Sequence, residues 1–512
     1  MAALFSIVRE NMVYELPALI LLVFIIRKVY SVYFGPLSKF PGPKLAAATL
    51  WYEFYYDVVL RGKYTFKIQQ LHRKYGPIIR ISPNELHIDE PEYYEELYSL
   101  HKPRNKSEFF VNQFNFRETG FATADYKLHR TRRAAMNSFF SKQKVARLQP
   151  MLNFMIEKLC NRIEEFKESG EPLSMRPVYM CFTTDVTTLF VMNRSWNHLD
   201  SPDFSPMWIN TIQAIVETGV LMKHFPWLLS ILPRLPKSVI ALIEPGLLIL
   251  DDFQNNIQEM TRTIINGEDK SNERYHKFGL DKTIIHTLLE SDLPPEEKSF
   301  TRLWQEAQVI IGAGGETSAH ALTTTQFHIL NNPEVHKKLL AELKEALPNV
   351  GASVDLRVVE HLPYLNAVVN EGLRFSYGVS TRLQRSHPTE IMKFHEWEIP
   401  AGTPVGMTSV DVHHNETIFP DSQTFKPERW LEKRPEGSPP LDRYLVAFTK
   451  GSRQCIGMHF AKAVLLLTVA TVYRRFEKQE LFETTRVDVD IQHDLFAPRA
   501  AFDSKGVRVI FK

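Results

Sequence analysis

Cys455 lies in the run Phe448-Thr449-Lys450-Gly451-Ser452-Arg453-Gln454-Cys455-Ile456-Gly457, just ahead of an apolar helix-forming segment. These residue types suit one task, the presentation of a single thiolate to the iron of a flat macrocycle. Gly451 and Gly457 let the backbone approach a planar ring where a side chain would collide. Arg453 can fork onto a ring carboxylate such as a heme propionate, and Phe448 can pack against the ring. At the start of a helix the dipole and the free N–H groups favour the thiolate of Cys455 over its thiol. An anionic sulfur on iron pushes electron density outward and favours O–O cleavage. A structural cysteine beside a glycine-rich turn is the plainer alternative, but it leaves the fixed offsets of Phe, Gly and Arg unexplained.

A second group, Ile311-Gly312-Ala313-Gly314-Gly315-Glu316-Thr317-Ser318, falls inside Phe300 to Leu330, whose length and periodicity predict one long helix. At ~1.5 Å per residue it runs ~45 Å, enough to cross a domain. Three glycines in a helix interior cost roughly 0.5–1 kcal/mol each relative to alanine, so something must compensate. A flat ligand close to the backbone would do so. Helix–helix packing at small residues would too, but it does not explain Glu316-Thr317. A hydroxyl can relay a proton without carrying charge into an apolar pocket. Further along, Glu371 and Arg374 share a helical face at i and i+3, and Phe425-Lys-Pro-Glu-Arg429-Trp430 follows.

Phe-x-x-Gly-x-Arg-x-Cys-x-Gly resembles the cysteine-ligand loop of the cytochrome P-450 family. Ala313-Gly314-x-Glu316-Thr317 is similar to that family's oxygen-binding groove, and Glu371-x-x-Arg374 with Pro427-Glu-Arg-Trp430 to its Glu-x-x-Arg and Pro-Glu-Arg-Phe motifs. The resemblance covers nearly all of the chain beyond its N-terminus. It implies a mainly α fold with a small β-rich part, the cytochrome P-450 fold, preceded by an N-terminal membrane anchor helix. It further implies heme b, with Cys455 as the iron ligand and Thr317 and Glu316 managing protons. Glu371, Arg374 and Arg429 would form a buried network holding the cysteine loop. Tyr126-Lys-Leu-His-Arg130 resembles the Trp-x-x-x-Arg propionate element, with tyrosine in place of tryptophan. Tyr126, Arg130, Arg382 and Arg453 are therefore the expected propionate contacts, beside Phe448, Gly451 and Gly457. Phe375-Ser-Tyr-Gly departs from the prolines that many relatives carry after Glu-x-x-Arg.

The wider sequence fits this assignment. The 512 residues are 44% hydrophobic and 23% charged, enough for a large core and too apolar for disorder. A net charge of +2 makes no case for nucleic-acid binding. Cys160, Cys181 and Cys455 are too few for a disulfide framework and fit a reducing compartment. The Asn105, Asn193 and Asn415 triplets then read as chance glycosylation matches. Gly312-Ala-Gly314-Gly315 lacks the third glycine of a dinucleotide loop, since Thr317 takes its place. No reductase module is visible, so electrons must come from a separate NADPH-cytochrome P-450 reductase. Arg132, Arg133, Lys450 and Lys462 read either as the basic surface that docks it or as a solvated face.

The expected organisation is an anchor over 1–34, a Pro-rich hinge over 35–46 and one catalytic domain over 47–512. Leu16 to Ile26 is an unbroken apolar run, followed by Arg27 and Lys28. A bilayer span needs ~20 apolar residues, so this is a modest anchor. A flat interfacial helix is the alternative, and a secretory signal lacks its cleavage site. Lys39 and Lys44 add to the positive side, which places the body in the cytosol, on the endoplasmic reticulum membrane.

Phe109, Phe110, Phe114, Phe116 and Phe121, with Val379, Ser380 and Thr381, are expected to wall a lipophilic substrate under a roof from Pro206 to Pro233. The hinge, Tyr75 to Ile88, Leu128 to Lys142 and Arg453 to Phe460 look like filamentous-fungal, trichodiene-oxygenase-like enzymes. The expectation is a heme-thiolate monooxygenase that hydroxylates or epoxidises a secondary metabolite, a terpenoid in the nearest likeness. An isomerase or dehydratase working without O₂, or a non-catalytic heme sensor or carrier, is the alternative.

Overall fold

A computed structural model describes the backbone of residues 2–114, 116–231, 234–243, 246–268, 278, 280 and 282–512. Helix accounts for 57% and strand for 7%, so the fold is mainly α with a small β part, as expected. The helices that position the site are α1 (Ala2–Tyr33), α2 (Trp51–Phe54, running into a π-helical turn Tyr55–Val59), α3 (Tyr126–Asn137), α4 (Gln149–Ser169), α5 (Met175–Met192), α6 (Pro206–His224), α7 (Gly246–Ile265), α8 (Phe300–Leu330), α9 (Pro333–Ala346), α10 (Pro363–Ser376) and α11 (Met458–Arg475).

The core is one helical mass in which α8 runs between α5, α10 and α11. α5 is apolar or small nearly all round and buried from Val178 to Met192, the pattern of a helix enclosed on every side. α8 starts at Ser299, whose side chain accepts from the Arg302 N–H and satisfies one free donor of the first turn. Buried Leu303, Ala307, Ile311, Leu322 and Phe327 of α8 belong to the same apolar cluster as Leu465, Leu467 and Val469 of α11.

A five-stranded sheet flanks this mass. It contains β1 (Ile78–Arg80), β2 (Leu86–Ile88), β3 (Asn105–Lys106), β4 (Arg385–Ser386) and β5 (Val405–Gly406), in the order β1-β2-β5-β4-β3. β1 and β2 pair antiparallel, with Ile79 opposite His87. A two-stranded hairpin, β6 (His493–Leu495) and β7 (Ala497–Arg499), turns at Phe496.

The N-terminal segment is helical, with side chains described from Leu16 and not at Pro17. Leu19 to Ile26 are all exposed. Among the described residues no helix is long and apolar enough to cross a membrane. The proline-rich segment after α1 is strapped to the sheet. Arg80 N donates to Pro41 O at 2.7 Å, and the Arg80 guanidinium donates to Ser31 O at 3.0 Å and Pro83 O at 2.6 Å. The expected roof is α6 and the turns after it; residues 232–233 lie outside the described residues.

Candidate active site

The loop before α11 is built to fix one sulfur. Cys455 N donates to Phe448 O at 2.9 Å, which closes the loop on itself. Arg133 of α3 caps it, with Nη1 donating to Gln454 O at 2.7 Å. Cys455 is exposed, so its sulfur is open to a ligand. Burial pushes its thiol up, while the Gly457 N–H and the Arg133 charge pull it down. The two glycines have different jobs. At Gly451 (φ +73°) an added Cβ would lie 2.1 Å from Tyr98 O, so this glycine serves packing between two backbones rather than approach to a ring. At Gly457 an added Cβ would meet only the Cys455 sulfur, at 4.0 Å.

α8 resolves its glycines in a similar way. Added Cβ atoms at Gly314 and Gly315 would lie 2.8 Å from Thr187 and Thr184 of α5, and Thr183 Oγ1 donates to Gly315 O at 2.7 Å. Close helix packing therefore accounts for these two. Gly312 opens on free space, and the neighbouring Ala313 is exposed in the middle of an otherwise enclosed helix. Thr317 Oγ1 donates back to Ala313 O at 2.7 Å, a bond that loosens and bends a helix. Glu316 pairs with Arg176 at the start of α5. Beyond Arg176 a row of charges leads outward: Arg499 of β7 pairs with Glu217 of α6, which Arg61 also holds at 2.8 Å, and Arg61 is half exposed.

The Glu371–Arg374 pair is wholly buried and closed. Arg374 Nη2 and Nε donate to the two Glu371 oxygens at 2.8 and 2.9 Å. Glu371 also accepts from Arg429 Nε at 3.1 Å, Trp430 Nε1 at 2.9 Å and Lys426 N at 2.9 Å. The tryptophan that stands in place of phenylalanine thus adds a donor. The link to the cysteine loop runs through His413, which sequence reading missed. One ring nitrogen meets Arg374 O at 2.9 Å and the other accepts from Val446 N at 3.0 Å. That fixes one neutral tautomer, consistent with burial and Arg374 holding its pKa well below the usual histidine range.

The expected propionate residues divide. Arg453 is buried and donates to Thr123 O and Ala124 O, both at 2.7 Å, and its Nε has no hydrogen-bond partner among the described residues. Burial, then the nearby Arg385 charge, pulls it down to about 9. Lys106 and His129 are pulled down by burial and by Arg453 and Arg385. Arg453, Arg385, Lys106 and His129 thus form a buried basic cluster, with Arg133 at its edge and Asp125 as the carboxylate that Arg453 feels. Arg130 and Tyr126 are not in it: Arg130 is exposed, and the Tyr126 N–H bonds Asn105 Oδ1 at 3.0 Å. Arg382 is elsewhere too, donating to Glu53 Oε1 at 2.8 Å and Glu85 Oε1 at 2.7 Å. The signal for the cluster was helical spacing. His129 and Arg133 are four apart and share a face of α3, whereas Arg130, next to His129 in the chain, is turned away from it by more than a quarter-turn.

The aromatic wall is present. Phe110, Phe114 and Phe121 meet Phe496, with ring centroids 5.1–6.1 Å apart. Phe109 turns away, onto His224 at 5.3 Å. Phe496 was not anticipated. Its φ of +87° is strained for a bulky residue, a cost of order 1–3 kcal/mol that persists only where surroundings impose it. Asp494 and Ser380 impose it: Phe496 N donates to Asp494 Oδ1 at 3.2 Å, Ser380 Oγ to the same oxygen at 2.7 Å, and Ser380 N to Phe496 O at 3.1 Å.

These features form one pattern: an exposed sulfur, a helix left open at Gly312 and Ala313, and buried cations short of counter-charge. The chain belongs to the cytochrome P-450 family, whose model matches residues 41–503. It is a heme-thiolate monooxygenase, and its cofactor is heme b. The chain is 48% identical over 492 residues to cytochrome P-450 monooxygenase MO6277 of Ascocoryne sarcoides, covering 94% of this chain and 95% of that one. It is 39% identical to a tryptophan 6-hydroxylase of Fusarium equiseti, with 96% of each covered. An N-acetyltryptophan 6-hydroxylase of Emericella nidulans is 36% identical, with 98% of each covered. The basic cluster fits such a group, because uncompensated buried cations are costly until an anion pairs with them, and heme b carries two propionates.

Proposed function

We propose that this enzyme inserts one oxygen atom from O₂ into a mostly apolar, ring-bearing secondary metabolite, by hydroxylation or epoxidation. Bound through the Cys455 thiolate, the heme supplies O–O cleavage. The remaining work falls to the chain. Arg453, Arg385, Lys106 and His129 hold the propionates. Thr317 presents its hydroxyl on the open side of α8 and passes protons. Glu316, released from Arg176, accepts protons from solvent and hands them to Thr317. Phe448 and Gly457 flank the sulfur. Two electrons come from NADPH through a separate reductase. The observation that carries this reading is the exposed Cys455 side chain, two residues along the chain from Arg453 of the basic cluster.

The Phe110–Phe114–Phe121–Phe496 wall supports a flat or polycyclic substrate, and two chemical forms suit it, a terpenoid or an indole derivative of the kind two relatives are named for. The catalytic body is residues 47–512. Residues 1–34 attach it to the endoplasmic reticulum membrane as a single-pass anchor, a reading supported by the exposed apolar side chains of Leu19 to Ile26 and by the flanking Arg27 and Lys28. Residues 35–46 join the two.

The test is product formation by the heme-loaded protein with NADPH and reductase, using tryptophan, N-acetyltryptophan and a panel of terpenoids. Oxygenated product with matching NADPH consumption supports the reading. Turnover of a peroxide without NADPH would make it an isomerase or dehydratase, and spectral binding with no product a carrier. Thr317→Ala should keep its heme and fold yet divert at least about half of the NADPH to peroxide, as loss of a proton relay requires. Unchanged coupling would remove Thr317 from the proton path.

A further inference from the structure

A buried ionic cluster joins α6 of the roof to α2 and the π-helical turn after it. Glu53 of α2, Asp57 of the π-helical turn and Glu85 after β1 face Lys223 of α6 and Arg382. Lys223 Nζ bonds Glu53 Oε1 at 2.9 Å and pairs with Asp57 Oδ2. Arg382 takes Glu53 Oε1 and Glu85. Three carboxylates against two cations leave one negative charge formally unbalanced in a buried place, a costly arrangement.

Two atoms point to what could balance it. Glu53 is 1% exposed, and its Oε2 has no hydrogen-bond partner among the described residues. The same holds for His224 Nε2, which is also buried. Burial holds the His224 ring down to about 4, so it is a neutral base with a lone pair to give. One ligand atom each from Glu53, Asp57 and His224 lie within 4.8 Å of one another. Zinc bonds of ~2.0–2.2 Å place neighbouring ligand atoms roughly 3–4 Å apart, so a small contraction would close the set. A nitrogen with two carboxylates suits zinc, whereas calcium and magnesium favour oxygen alone.

We propose that Glu53, Asp57 and His224 bind a divalent transition metal of the zinc class, which fastens the C-terminal end of α6 to α2. Lys223 competes for the same carboxylates, so its ammonium and the metal are alternative fasteners. The site shares no residue with the cysteine loop or the basic cluster, and its occupant bears on how firmly the roof is held rather than on oxygen chemistry.

The test uses untagged, heme-loaded full-length protein, stripped with a chelator and titrated with zinc chloride by calorimetry. Bound zinc is counted after desalting, and melting is followed with and without zinc. Wild type is expected to take up one zinc per chain and to melt higher with it. His224→Ala, with normal heme content and carbon monoxide spectrum, should bind at least about tenfold more weakly, ~1.4 kcal/mol. Lys223→Met, which removes the competing ammonium, should bind more tightly. No zinc uptake by wild type, or uptake and melting shift unchanged in a folded His224→Ala, would overturn the proposal.

Discussion

Two buried charge clusters flank the cysteine loop, and they are balanced in opposite ways. Around Glu371, each carboxylate oxygen has protein donors and both arginines have protein acceptors. Around Arg453, the cations Arg385 and Lys106 crowd one another, and burial with the charge of Arg453 and Lys106 holds His129 neutral. The first cluster is complete within the chain and supports the fold. The second becomes complete only with an anionic ligand and marks where that ligand's charge must lie. Burial of charge alone would not have told support from site; the sign balance does.

The comparison breaks most visibly at Glu371. Glu371→Ala leaves two buried guanidiniums unpaired and should cost ~3–5 kcal/mol, giving little folded, heme-loaded protein. Normal yield and heme content would contradict the supporting role. The next pair of variants separates the two kinds of arginine. Arg382→Met strands Glu53 and Glu85 and should lower the stability of the apoprotein by ~3 kcal/mol. Arg385→Met relieves repulsion, so apoprotein stability should hold within ~0.5 kcal/mol. Its heme should instead dissociate at least about tenfold faster, because a charged hydrogen bond of ~1.5–3 kcal/mol is lost. The two effects are read by denaturant unfolding of apoprotein and by heme transfer to an acceptor. Swapped results would mean that Arg382, not Arg385, faces the propionates.

A smaller effect sharpens the contrast from within the balanced side. Asp411, on the turn that carries His413, is pushed from 3.8 up to about 7 by burial, with Asp89 adding. Its hydrogen-bond donors are Gln69 and Thr408; His87 is 3.9 Å away, held neutral by burial and its neighbours. A pKa raised by folding contributes stability that is full below the unfolded value and lost as pH rises through the folded one. Asp411 should therefore weaken the fold between pH 3.8 and about 7. Asp411→Asn should be more stable than wild type near pH 8, by about 1 kcal/mol or more, and the gap should shrink toward pH 5. A gap that does not change with pH would show that Asp411 stays ionised.

The parts legible in the sequence are those written locally. The Cys455 loop, the α8 helix and the Glu371–Arg374 pair are each set by spacing along one segment, and each is found where spacing put it. The basic cluster was only partly legible. Arg453 was visible from its offset to Cys455, but Lys106, His129 and Arg385 lie on three separate elements that meet only through the sheet and α3. Arg382 was misplaced because two arginines, three apart, follow Arg374, and only packing shows which of them finds Glu53 and Glu85. The glycines of α8 were read toward a ligand, yet Thr184 and Thr187 of α5 claim two of them, and no single-helix pattern reveals a neighbour. Phe496 could not be foreseen, since its exposure to the pocket depends on a backbone angle that Asp494 and Ser380 enforce from afar.

The account rests on the sulfur of Cys455 as the ligand of the heme iron. The most direct measurement is the difference spectrum of the purified, heme-loaded protein, reduced and exposed to carbon monoxide, for wild type and Cys455→Ser. The thiolate account predicts the strongly red-shifted Soret band in wild type and its loss in Cys455→Ser at retained protein fold. A fully heme-loaded wild type without that band, or a Cys455→Ser protein that keeps it, would contradict the account.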